Sequence, residues 1–144
     1  MVLQDYSQLK YSDSVKPIKL GNEHISELKN IYRLSGTAAW TPTSLKLGPF
    51  WGVFDSNGRL LSVAGVHYVT PYVAEIGNIA TRPEGKRKGY ASACIAAVVR
   101  ELIEFTDVIA LHFFESNIPA KKLYEKMGFR YTDIQPLYFV QGRY

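Results

Sequence analysis

The segment of this 144-residue chain best equipped for chemistry is Thr81-Arg82-Pro83-Glu84-Gly85-Lys86-Arg87-Lys88-Gly89-Tyr90-Ala91-Ser92. Two glycines and three consecutive cations, Lys86, Arg87 and Lys88, run into what the apolar spacing makes the start of a helix. The N–H groups of a helix's first turn have no intrahelical acceptor, and together with the helix dipole they favour an anion, phosphate above all. The same composition also suits a solvated basic loop, and physics alone leaves both readings open. The Gly-Lys-Ser/Thr ending of a Walker loop is missing. With Cys94 the sole cysteine, neither an intrachain disulfide nor a cysteine zinc site can form. Cys94 falls on an apolar helix stripe and reads as core, so no covalent intermediate is invoked. His24, His67 and His112 are scattered, and no metal site is expected.

The elements that must position this loop follow from periodicity. Residues 1–14 are polar and read as a loosely held, flexible arm. An edge strand over Val15–Leu20 follows, where Pro17 is tolerated. Asn22 is a candidate N-cap for a helix striped by Ile25, Leu28, Ile31 and Tyr32 and stopped by Gly36. Residues 37–49 are irregular or briefly helical. Phe50–Phe54, the turn Asp55-Ser56-Asn57-Gly58 and Leu60–Val69 make a hairpin, and Thr70-Pro71-Tyr72 returns the chain into Val73–Thr81. In Tyr90–Phe105 the residues Ala91, Cys94, Ile95, Val98, Val99 and Leu102 recur at the helical period. Val108–Phe114 is the next strand. Strand, long crossover helix and strand require a parallel pair. A shorter helix, capped by Ser116 or Asn117 and stopped by Gly128, leads to closing strands at Phe129–Thr132 and Leu137–Val140. The expected fold is α+β, one domain over 1–144. Its central mixed, mostly antiparallel sheet carries helices on both faces and one parallel pair joined by a crossover helix.

Two blocks then carry a family resemblance. Lys86-Arg87-Lys88-Gly89-Tyr90-Ala91 resembles the acyl-CoA loop of the GNAT superfamily of N-acyltransferases, Arg/Gln-x-x-Gly-x-Gly/Ala, matching at Gly89 and Ala91. Asn117-Ile118-Pro119-Ala120-Lys121-Lys122-Leu123-Tyr124-Glu125-Lys126-Met127-Gly128-Phe129 resembles the family's Asn-x-x-Ala-x-x-Leu-Tyr-x-x-x-Gly-Phe block. The likeness covers about residues 50–132 well and the first 49 only in outline. Lys86 departs from the family's Arg or Gln, replacing a planar multi-donor group with a point charge. Arg87 stands where glycine is common.

The resemblance implies a GNAT-like sheet and direct transfer of an acetyl group from acetyl-CoA to a primary amine, without a metal. It places the pantetheine arm of acetyl-CoA where Val73–Thr81 and Val108–Phe114 diverge, against the backbone of Ile79, Ala80 and Thr81. An amide near Ile79 then faces the thioester oxygen, a preorganised partner for developing charge. Lys86, Arg87, Lys88, Gly89, Tyr90 and Ala91 cradle the pyrophosphate. Tyr124 matches the tyrosine that donates to the CoA sulfur; its alternative is a core tyrosine. Asn117 contacts the cofactor arm or simply caps its helix. Glu75 lies where many relatives carry a carboxylate base, with His67 the weaker candidate, although a strand glutamate is often just solvated. Trp40, Trp51, Tyr68, Tyr72 and Phe114 wall the acceptor pocket or belong to the core.

A net charge of +4 and a pI near 9.1 suit a polyanionic ligand. A non-catalytic acyl-CoA sensor or subunit of the same fold is the nearest alternative. A nucleic-acid module built on Lys86-Arg87-Lys88 and Lys121-Lys122 is disfavoured, since no aromatic RNA-binding motif or zinc spacing accompanies the charge. No apolar run approaches a membrane helix and the first residues lack signal-peptide order. A cytoplasmic protein with no membrane partner is expected, and a homodimer is compatible.

Overall fold

The computed structural model describes residues 1–36 and 40–133. Its organising unit is the hairpin of β3 (Trp51–Phe54) and β4 (Leu60–Val69). The Asp55 carboxylate closes the turn, accepting from the amides of Asn57 and Arg59 and from Arg59 Nε. Gly58 takes the left-handed φ of 77° that the turn needs. β4 is buried without interruption from Leu60 to Val66. Successive strand residues point to opposite faces, so both faces of β4 are covered. α1 (Ile25–Ser35) and α2 (Tyr90–Leu102) both pack on β4 and on β5 (Val73–Thr81).

The sheet has six strands in the order β1-β6-β5-β4-β3-β2, with β1 at Val2–Leu3, β2 at Ile18–Lys19 and β6 at Val108–Leu111. Every neighbouring pair is antiparallel except β5 and β6, which are parallel and joined through α2. The architecture is the mixed α+β sheet with one crossover pair that the sequence pattern implies.

Several boundaries differ. The polar N-terminal stretch is anchored at its start. Val2 and Leu3 pair with β6, Val2 exchanges both backbone hydrogen bonds with Arg130, and Leu3 is 1% exposed. Two apolar residues suffice because β6 offers them an unpaired edge. At the opposite edge, only Ile18–Lys19 of the Val15–Leu20 stretch pairs, since Pro17 has no N–H to give. α2 ends at Leu102 and β6 at Leu111, short of Phe105 and Phe114. Phe129–Thr132 contributes a single bridge at Arg130. The strand expected at Leu137–Val140 lies outside the described residues. α3 (Ile118–Met127) is capped by Asn117, whose Oδ1 accepts from the Ala120 amide at 3.2 Å, and is closed by Gly128 at φ 108°.

Candidate active site

Parallel pairing of β5 and β6 runs from Val73↔Val108 to Ile76↔Leu111 and stops there. β5 continues to Thr81 on β4 alone, so among the described residues its outer edge is open beyond Ile76. A bulge sits at this fork. The register passes from Gly65↔Gly77 to Val63↔Ala80, so Asn78 and Ile79 together oppose Ala64. Asn78 has the left-handed φ of 50°. The bulge is held from both sides: Tyr32 Oη donates to the Asn78 carbonyl at 2.6 Å, and Asn78 Nδ2 donates to the Val66 carbonyl at 3.1 Å. Asn78 Oδ1 is buried without a hydrogen-bond partner among the described residues. Bulges redirect strands and side chains in this way beside functional sites. Ile79, Ala80 and Thr81 lie on the open stretch.

Beyond Thr81 the chain makes a short 3-10 turn over Pro83–Gly85, closing the Gly85 and Lys86 amides on the carbonyls of Arg82 and Pro83. Arg87 and Gly89 then both adopt positive φ, 61° and 79°, on either side of Lys88. Among the described residues the amides from Arg87 to Ala91 meet no backbone carbonyl. Alternating backbone handedness of this kind turns successive N–H groups inward to form an anion-binding concavity. Lys86, Arg87 and Lys88 are exposed around it. Gly89 has a second constraint: a Cβ there would stand 2.6 Å from Ser12 Cβ. The Ser12 amide donates to Ser92 Oγ at 3.2 Å, which itself donates to the Gly89 carbonyl at 2.8 Å.

Tyr124 is buried on α3 with its ring edge-on to Phe113 and Phe129, at centroid separations of 5.6 and 6.3 Å. Its hydroxyl makes no hydrogen bond among the described residues, and burial pushes its pKa up to about 12. Cys94 is buried, and burial lifts its thiol to about 12 as well, as suits a core residue. Asn117 has its oxygen engaged as the α3 cap. The five aromatics do not gather: Trp40 stacks on Tyr32 in the core, and Trp51 Nε1 bonds to Glu101 on α2. Tyr68, Tyr72 and Phe114 are exposed.

Glu75 is not solvated. His67 Nδ1 lies 2.7 Å from its Oε1 and His112 Nδ1 lies 2.9 Å from its Oε2. The Glu75 side chain is 12% exposed, between imidazoles exposed at 41% and 52%. Burial pushes the carboxyl up, but hydrogen bonding and charge from the two imidazoles outweigh it, leaving the pKa below the ordinary carboxylate value. A second bulge builds this cluster. Val66 pairs Ile76 and Tyr68 pairs Glu75, so His67 is the extra residue on β4. Glu75 pairs Ala110, and His112, two residues further, shares that face. His112 escaped the sequence reading. Its period-2 relation to Ala110 was visible, but the register against Glu75 was not. The three side chains meet nitrogen to oxygen rather than around a common point, and among the described residues no group is arranged to hold a metal ion.

An open cavity of about 600 Å³ lies elsewhere, between the chain around Tyr11–Pro17 and the flank of α2. Of its lining side chains, Glu101 is engaged by Lys19 and Trp51, and Arg100 lies over the Tyr11 ring.

A family model described as FR47-like protein matches residues 52–139. No curated protein sequence matches the chain. Among solved structures it is similar to a Novosphingobium aromaticivorans protein assigned to the GNAT family, with acetyltransferase as the proposed activity. That likeness has a TM-score of 0.76 and 28% identity, covering 90% of this chain and 57% of the other. An aminoglycoside N-acetyltransferase in complex with CoA gives a TM-score of 0.70 at 16% identity, over 88% of this chain and 100% of the other. A ribosomal-protein-alanine N-acetyltransferase from Brucella melitensis biovar Abortus 2308 gives 0.70 at 17% identity, over 89% and 100%. These last two share the fold alone. No helix among the described residues is long and apolar enough to cross a membrane.

Proposed function

The chain belongs to the FR47-like family of GNAT-type domains, and from that premise we propose that it transfers the acetyl group of acetyl-CoA directly to a primary amine. The observation that carries this reading is the pairing of two unengaged polar surfaces at the two ends of one strand segment. At the fork, β5 presents an open backbone edge beyond Ile76 among the described residues. Past Thr81, a concave run of free amides opens at the start of α2. An extended ligand with amide groups along its length and a diphosphate at its end matches both, and acetyl-CoA is such a ligand.

Acetyl-CoA, when bound, supplies an acyl thioester. In this reading Ile79, Ala80 and Thr81 align the arm, the amides of residues 87–91 hold the diphosphate, the Lys86 amide being engaged by the Pro83 carbonyl, and Lys86, Arg87 and Lys88 add an exposed positive field. Asn117 contributes by setting the start of α3. Tyr124 offers its free hydroxyl to the leaving sulfur. A phenol raised to about 12 does not give its proton up fully to a thiolate, whose ordinary pKa is roughly 8.5. Tyr124 therefore acts as a hydrogen-bond donor that stabilises the departing charge. Holding both substrates in one cleft supplies much of the remaining acceleration.

Thermal denaturation with acetyl-CoA tests the reading. A ligand confined to the native state stabilises by about 2.7 kcal/mol at a hundredfold excess over its dissociation constant. Thiol release is then followed across a panel of primary amines. No shift at millimolar acetyl-CoA in folded protein removes the proposal. A shift with no release from any amine favours a non-catalytic binding role instead.

A further inference from the structure

The chain presents a second imidazole, His112, that the acetyl-transfer reading leaves unused, and a carboxylate that both imidazoles clamp. Glu75 sits one residue before the last parallel pair, so the cluster stands at the fork itself. With its pKa below the ordinary carboxylate value, Glu75 is ionised at neutral pH and can only accept hydrogen bonds. Each short contact to it therefore requires a hydrogen on the imidazole Nδ1, so that in the neutral form of each ring Nε2 is the nitrogen without one. A carboxylate so engaged is a poor proton acceptor, while a bare Nε2 is a good one.

His67 is aimed by absence of a side chain. A Cβ on Gly77 would lie 2.3 Å from Cε1 and Nε2 of His67, so the ring lies over Gly77 with Nε2 beside the Asn78 bulge. The single charge of Glu75 compensates one imidazolium, and the cluster can thus take one proton without building net positive charge. Other titratable groups face it: Tyr68 on β4, whose pKa is raised by burial and then by Glu75, and the Met1 amino group just before β1. That amino group is lowered by burial, with Glu75 opposing, and it donates to the Leu111 carbonyl.

Building on the acetyl-transfer reading, we propose that His67 takes the acceptor amine's proton on Nε2, while Glu75 and His112 are positioning residues that hold its tautomer and orientation. The amine nitrogen forms its bond to the acyl carbon as the carbon–sulfur bond breaks. The sulfur leaves with the bonding electron pair, hydrogen-bonded by Tyr124, and the nitrogen's proton passes to His67 and then to solvent.

Two readouts test this. In ¹⁵N-imidazole NMR of the protein alone above pH 8, His67 and His112 both show a protonated Nδ1 and a bare Nε2, and E75Q abolishes that pattern. A protonated Nε2 on His67 overturns the assignment. Kinetics with acetyl-CoA and a panel of primary amines that includes n-butylamine show an acidic limb of kcat/KM that depends on the His67 imidazole. H67Q loses on the order of 100-fold or more, loses that limb, and recovers part of its turnover on addition of free imidazole. E75Q and H112Q lose less. G77A, which displaces the ring, resembles H67Q. A limb in the carboxylate range that survives H67Q and disappears in E75Q makes Glu75 the base and overturns the proposal. Acetyl-CoA stabilisation is measured in every variant. If the wild-type protein binds acetyl-CoA yet releases no thiol, the transfer reading fails and this one with it. If transfer persists unchanged in H67Q, only the base assignment fails.

Discussion

At the residue scale, Tyr124 shows how burial and chemistry can be separated by one atom. Its ring is locked between Phe113 and Phe129, so packing is complete without the hydroxyl. The hydroxyl has no partner among the described residues, so its removal costs no hydrogen bond. Tyr124→Phe is therefore expected to keep its melting temperature and its acetyl-CoA affinity, while kcat falls by on the order of 10- to 100-fold, the loss of one donor to developing charge. Single-turnover measurements check this where chemistry limits the rate. Full activity there makes Tyr124 a packing residue and removes it from the mechanism. Tyr124 stood out in sequence through its place in the block that resembles the GNAT signature, while its spacing alone fits a core tyrosine equally well. The Glu75 cluster was legible only in part. Glu75 stood out by its place in the family resemblance and His67 as a weaker candidate, but the bulge that leaves His67 unpaired beside Glu75 depends on register, which composition does not encode.

At the element scale, the hairpin could be read almost to the residue and α2 at its start, though not its end at Leu102, because Asp55-Ser56-Asn57-Gly58 and the 3.6-residue stripe are local signals. The early end of β6 could not, since it is set by β5 turning away at the Asn78 bulge, a non-local cause. The loop between β5 and α2 lies between these cases. Its glycines and cations were visible, whereas the positive φ of Arg87 was not. A non-glycine residue held there is strained by about 1 kcal/mol or more, offset in a glycine variant by extra unfolded-state freedom. Arg87→Gly is thus expected to leave stability level or raise it by up to about 1 kcal/mol, with a small loss of acetyl-CoA affinity. Gly89→Val is a poor probe of the same loop, because it collides with Ser12 as well as with any ligand. Lys88→Glu separates the two effects better. A carboxylate just before the first turn suits the helix dipole, so the fold is kept, but it opposes a diphosphate. Acetyl-CoA affinity should fall about tenfold or more at low salt, and less at high salt. Calorimetric titration at two salt concentrations decides: unchanged affinity for Lys88→Glu places the anion elsewhere.

At the scale of the whole molecule, the two ends of the candidate site depend on different parts of the sheet. The fork exists because β6 is held alongside the first half of β5 and no further. Among the described residues β6 in turn is held on its other side by Met1, Val2 and Leu3, and Val2 also ties in the chain after α3 through Arg130. Leu3 is among the largest fully buried side chains, in the same core as Ile109, Leu111 and Phe129. Shortening it to alanine opens a cavity against the strand that forms one arm of the fork. Leu3→Ala should cost about 2–4 kcal/mol, lowering the thermal midpoint by on the order of 10 °C. That is a large share of the roughly 5–15 kcal/mol that holds a domain together. The amide concavity lies past the other end of β5, beyond Thr81, and is built from turn geometry that Leu3 does not touch. At a temperature where the variant is folded, diphosphate binding should therefore survive, while turnover falls as β6 loosens and the fork loses its shape. Denaturation, ADP binding and acetyl transfer measured on one preparation separate these effects. A midpoint within a degree or two of wild type would show that β1 is a passive edge and that β6 holds the fork without it. A parallel loss of ADP binding and stability would show that cradle and fork form one cooperative unit.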